Sequence, residues 1–236
     1  MNLSPETMRE TIRDTISSRR AFLGGIGLSA AALAMPGCAS YGGFSFVDAI
    51  RRLLTLSSTR AFDRLLADNG FYDSQVGRLQ LDRFLGSRGG ILSSILTSQL
   101  VKDRLFLGLA DVAAEGAERA APVIADTVRT IGIANAAALV TGNPTAATSF
   151  LRSNMGSRLI DVMLPEVGQA LRLVSDPVVG PALSALTGTN LSSFVTGLTD
   201  AAEETIWAEM GNEESAIRSN PRSTNDPLLI GVFGAV

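Results

Sequence analysis

The chain has 236 residues, of which 46% are hydrophobic, 18% charged and 6% aromatic, the balance of a globular protein rather than a disordered or membrane-filling one. It contains no histidine and one cysteine, which excludes a Ser-His-Asp triad, a histidine general base, a zinc finger and an internal disulfide. Its 20 basic and 23 acidic residues give a net charge of −3, and that mild acidity argues against nucleic acid as a partner.

Residues 1–17 read as a dispensable leader. The order Ser18-Arg19-Arg20-Ala21-Phe22-Leu23, followed by an apolar stretch through Met35, is a twin-arginine export pattern carried by Arg19, Arg20, Phe22 and Leu23. The stretch runs for roughly 15 residues, short of the ~20 that a spanning helix needs, so a spanning helix is the weaker reading and an N-terminal helix with a chance arginine pair weaker still. Met35-Pro36-Gly37-Cys38 then resembles a lipobox, in which Cys38 is acylated and becomes the mature N-terminus. Met35 and Pro36 depart from the usual pattern, and ordinary cleavage after Ala32-Leu33-Ala34 stays open. Ala39-Ser40 lacks the acidic residue of inner-membrane retention, which points to an outer-membrane anchor facing the periplasm. The expected division is a cleaved signal at 1–37, a lipidated tether at 38–45 and one helical domain at 46–236.

From Phe44 onward apolar residues recur at helical spacing, and no strand is expected. The fold class is therefore all-α, an irregular single-domain bundle. Ser57-Ser58, Asn69-Gly70, Gly86 and Gly89-Gly90 are expected to divide residues 56–103 into short pieces. Gly86-Ser87-Arg88-Gly89-Gly90 lacks the flanking strand and Lys-Ser/Thr of a phosphate loop and reads as a connection. Leu105, Leu109, Val112, Gly116 and Ala120 form a helical stripe, after which Pro122 should start or kink the next segment. Leu151, Met155, Leu159 and Val162 form another, interrupted at Pro165 and resumed at Val167, Leu171 and Val174. Leu191, Val195, Leu198, Ala202, Ile206, Met210 and Ile217 predict one long helix with Glu203, Glu204, Glu213 and Glu214 pointing away. Asn143-Pro144, Asp176-Pro177 and Asp226-Pro227 each read as a cap followed by proline at the first helical position.

Four motifs occur in order in the C-terminal two thirds: Ala146-Ala147-Thr148-x-Phe150-Leu151-Arg152, Leu164-Pro165-x-Val167, Glu213-Glu214-x-x-Ile217-Arg218-x-Asn220-Pro221, and Leu228-Leu229-x-x-Val232-Phe233-Gly234. Together they resemble the bacterial domain-of-unknown-function family numbered 4197, over about residues 44–236. The resemblance implies an exported, often lipidated, all-helical protein and carries no catalytic residues across. Thr145 stands where members tend to have aspartate, and Asp226-Pro227 where the run before the last helix usually lacks proline.

The acidic group Glu203, Glu204, Glu209, Glu213 and Glu214 alone has the composition of a site. Glu209 and Glu213, at i and i+4, could hold a hard cation or act as acid and base, and Glu214-Ser215 is similar to the Glu-Ser pair of lytic transglycosylases. The favoured reading is a solvated helix face. No catalytic, cofactor-binding or metal-ligating residue is therefore expected, and no cofactor. Trp207 lies next to the apolar stripe and could border a groove, while the uncharged tail Leu228 to Val236 should pack back on the bundle or dock on a partner. The partners expected are the membrane, through the lipid anchor, and an envelope protein or apolar ligand. A non-enzymatic envelope module is the leading reading and a cell-wall hydrolase using a single glutamate the alternative.

Overall fold

In a computed structural model the described residues are 40–41, 44–75, 99–167 and 191–234, with a few single residues between them. Ser40–Tyr41 (β1) pairs antiparallel with Phe44–Ser45 (β2), a two-residue ladder where no strand was expected. Such a pairing is too short to leave an alternating pattern in the sequence. Ser45 then caps helix α1 (Phe46–Leu65), its hydroxyl accepting from the Asp48 amide at 3.2 Å.

Helix α1 runs unbroken through Ser57-Ser58, contrary to expectation. Ser57 Oγ donates to the Leu53 carbonyl and Ser58 Oγ to the Thr55 carbonyl, at 2.8 and 2.9 Å. Both hydroxyls are thus satisfied inside the helix, and Ala49, Ile50, Leu53, Leu54, Ala61, Phe62 and Leu65 supply the burial that holds it. The break does come at Asn69-Gly70. Asn69 takes a positive φ of 60°, and a Cβ on Gly70 would lie 2.2 Å from the Arg64 carbonyl oxygen. Only glycine lets the chain fold back this closely before α2 (Gly70–Asp73). The Gly86–Gly90 connection lies outside the described residues.

Helix α3 (Gln99–Thr130) contains Pro122 rather than stopping there. An interior proline costs about 3 kcal/mol. Here it is exposed, while the stripe Leu105, Leu109, Val112, Ala117, Ala120, Ile124 and Val128 is buried on both sides of it. Several buried aliphatic side chains at about 1.5–3 kcal/mol each outweigh the lost bond. Helices α4 (Ala136–Val140), α5 (Ala146–Met155) and α6 (Arg158–Val167) follow. The interruption expected at Pro165 occurs instead at Gly156, which takes φ +56°, and Pro165 is carried inside α6. Pro144 likewise lies one residue before the α5 cap, Thr145, rather than at the first helical position. Asp176, Leu171 and Val174 lie outside the described residues.

The long helix is present as expected: α7 spans Leu191–Ser219. It packs against α1, α3, α5 and α6, and α1 and α6 each also pack on α3. A turn of 3-10 helix, Pro221–Thr224, leads to α8 (Pro227–Phe233). Asp226 caps α8 as its sequence predicts, accepting from the Leu228 and Leu229 amides with Pro227 at the first position. The tail packs back on the bundle, with Leu229, Val232 and Phe233 buried and α8 against α1. The described residues form a single all-α domain with one contiguous core, and α1, against β2 and the helices α2, α3, α4, α5, α7 and α8, is the element that touches the most others.

Candidate functional site

The acidic side of α7 is not a solvated face. Glu203, Glu209, Glu213 and Glu214 are 7, 4, 6 and 0% exposed, and Glu204 alone among the five is half-exposed. Periodicity places these residues off the apolar stripe, but a helix with neighbours on several sides buries more than one stripe. Buried carboxylates require partners, and each has them on another helix or a turn away on its own.

Four arginines divide the cluster into three nodes. Arg64, near the end of α1, reaches Glu209 Oε2 at 3.2 Å through Nη1 and Glu213 Oε1 through Nη2, while Arg60 lies 3.9 Å from Glu213. Ser74, just after α2, donates to the other oxygen of Glu209 at 2.7 Å. Arg152 of α5 holds Glu203 at 3.1 Å and Glu204 at 2.6 Å. Trp207 Nε1 donates to Glu203, and the ring is 3% exposed, so this indole is core and not the edge of a groove. Burial pushes the Glu203 carboxyl above its ordinary value and the charges of Glu204 and Asp200 add to that, against the downward pull of Trp207 and Arg152.

The third node joins helix ends. Glu214 accepts from the backbone amides of Ala147 at 3.0 Å and Thr148 at 2.7 Å, so its carboxylate occupies the N-terminus of α5 where a cap or anion would sit. The cap residue Thr145 makes no capping bond with its own side chain. Arg218 donates to Glu214 at 2.8 Å and to the Val140 and Leu139 carbonyls at 2.9 and 2.8 Å, closing the C-terminal end of α4. Its guanidinium lies 4.8 Å from the centroid of the Phe233 ring of α8. Glu214 and Arg218 thereby tie α4, α5, α7 and α8 together. Nothing in the local spacing of Glu214 announces this, because the amides it caps are 67 and 66 residues away in the chain.

Among the described residues no group of three or more acidic, histidine or cysteine side chains is disposed to hold a metal ion. The cation-binding geometry conceivable for Glu209 and Glu213 is filled by the Arg64 guanidinium. Two open grooves flank α1. One, of about 570 Å³, is lined by Arg51, Arg52, Thr59 and Asp226 among others. The other, of about 580 Å³, is mainly apolar and runs between α1 and α3 along Phe62, Leu66, Ala121, Pro122 and Ala125. Arg19, Arg20, Phe22, Leu23 and Cys38 lie outside the described residues.

In this all-α domain the motif residues Ala147, Thr148, Arg152, Glu213, Glu214, Arg218 and Phe233 converge on helix-end and interhelical contacts. The sequence profile of a family described as protein of unknown function, DUF4197, matches residues 40–234, and the chain belongs to that family. No curated protein and no solved structure matches it.

Proposed function

We propose that the protein is a lipid-anchored helical module, held by Cys38 on the periplasmic side of the outer membrane, that binds another envelope component and does not turn over a substrate. One observation carries the binding half of this reading: the carboxylates of the most site-like constellation are engaged internally, Glu209 and Glu213 by Arg64, Glu203 and Glu204 by Arg152, and Glu214 by two amides and Arg218. A general acid or nucleophile has to meet its substrate, and Glu214, fully buried, meets only protein atoms. The export half rests on the Ser18–Leu23 order, the apolar run and Cys38. Among the described residues no helix is long and apolar enough to cross a membrane, and the attachment proposed here is the lipid on Cys38.

The apolar groove between α1 and α3 is the surface offered for capture. Ala125 is exposed there, so Ala125→Arg charges the groove without disturbing the core. Pull-down from detergent-solubilised envelopes should recover a partner with the unaltered chain and lose it with Ala125→Arg. Intact-mass analysis of the membrane fraction should find a chain that starts at Cys38 with lipid mass added. A soluble chain with another N-terminus defeats the anchor. Purified protein that degrades peptidoglycan and loses that activity in Glu214→Gln, while remaining folded, replaces the binding reading with the hydrolase.

A further inference from the structure

Where α5 packs on α7, one cation serves too many anions. The Arg152 guanidinium is shared by Glu203 and Glu204, and Asp200, three residues before Glu203, adds its negative charge at Glu203. Glu203 is buried, with one oxygen on Arg152 and the other on Trp207 Nε1, whereas Glu204 reaches solvent. Among the other helices against α7, α1 directs Arg60 and Arg64 to Glu209 and Glu213, and the charges that act on Glu203 come from α5 and α7. A cluster with excess negative charge and one dehydrated carboxylate takes up its proton at the dehydrated position.

We propose that Glu203 is a proton-operated latch between α5 and α7, tightened when its carboxyl is protonated and loosened when it is ionised. The sign follows from linkage. Opening this edge would hydrate Glu203 and return it to ordinary proton affinity, while in the closed form burial raises that affinity. The closed form therefore binds the proton more tightly, and proton uptake must favour closure.

The reporter is built in, because Trp207 is the only tryptophan and its indole is bonded to the titrating group. Titrating the full chain from neutral pH down through the carboxylate range should give one step in tryptophan emission, with its midpoint above that of an ordinary glutamate. Protection of the α5 amides, measured relative to an unstructured chain at the same pH, should rise across the same step. Glu203→Gln should abolish the step and keep the acid-side protection at every pH. Glu204→Gln, at a half-exposed residue, should keep the step but move its midpoint down, since it removes a neighbouring negative charge and leaves Arg152 to Glu203. A step that survives in Glu203→Gln, a midpoint unmoved by Glu204→Gln, or α5 protection that stays flat or falls on the acid side overturns the proposal. If Glu203→Gln does not fold, the Glu204→Gln midpoint decides.

Discussion

Glu214 is tolerated at zero exposure only because two amides and a guanidinium satisfy its oxygens. Removing one partner of a buried pair leaves the other charge unpaired, at about 3–5 kcal/mol. Glu214→Ala should lower the stability by an amount of that order in urea unfolding, and Glu214→Gln, which keeps an acceptor for one amide, by clearly less. Equal losses would show that the amides contribute little. Thr148, beside Glu214 in space, offers the opposite test. Its amide is used by Glu214 but its hydroxyl is buried without a partner, and such a group carries a desolvation penalty of about 1–3 kcal/mol. Thr148→Val has nearly the same shape, so it should be neutral or raise stability by up to about 1 kcal/mol. A marked loss would mean that the hydroxyl has a partner in solution. These two neighbours differ in sign because one polar group is satisfied and the other is not.

At the scale of elements, α8 is held by its buried Leu229, Val232 and Phe233 and, at its start, by a cap and an exposed ion pair. Burial pushes the Asp226 carboxyl up, but the Arg52 hydrogen bond and the amides of Leu229 and Leu228 hold it below the usual aspartate range. A lowered value in the folded state means stabilisation that is present above the ordinary aspartate range and lost as the pH falls through the lowered value. Asp226→Ala should therefore be less stable than the unaltered chain by about 1 kcal/mol at neutral pH, and the gap should close in acid; a gap independent of pH would assign the loss to packing alone. The cap itself was legible in Asp226-Pro227, as was the whole of α7 from seven apolar positions, because caps and stripes are local patterns. Ser57-Ser58, and Pro122 taken as a helix start, misled because propensity is a weak term that tertiary burial overrides. The acidic residues misled for a different reason. Their periodicity is correct, but Arg64 lies 145 residues from Glu209 in the chain, and Arg152 is 51 residues from Glu203, so no window on α7 shows the charges that neutralise it.

For the whole molecule, Arg19 and Arg20 define the test of the export route. Replacing both with lysine keeps the charge and removes the guanidinium pair, so precursor should accumulate in the cytoplasm, read by fractionation; unchanged export would remove the twin-arginine assignment. A separate question is how this chain folds. Helix α1 opens the domain, yet Arg52, Arg60 and Arg64 find their partners 174, 163 and 145–149 residues downstream. Contacts of such separation give a helical protein a higher contact order than local helix pairing would, and they close last. A nascent chain still lacking α7 and α8 holds three unpaired guanidinium groups along its first helix, which then has α3, α4 and α5 but not α7 to pack against. Folding is thus gated by completion of synthesis: the first helix waits for the last, and a ribosome stalled before residue 209 displays an arginine-studded apolar helix with no Glu209 or Glu213 yet made to receive it.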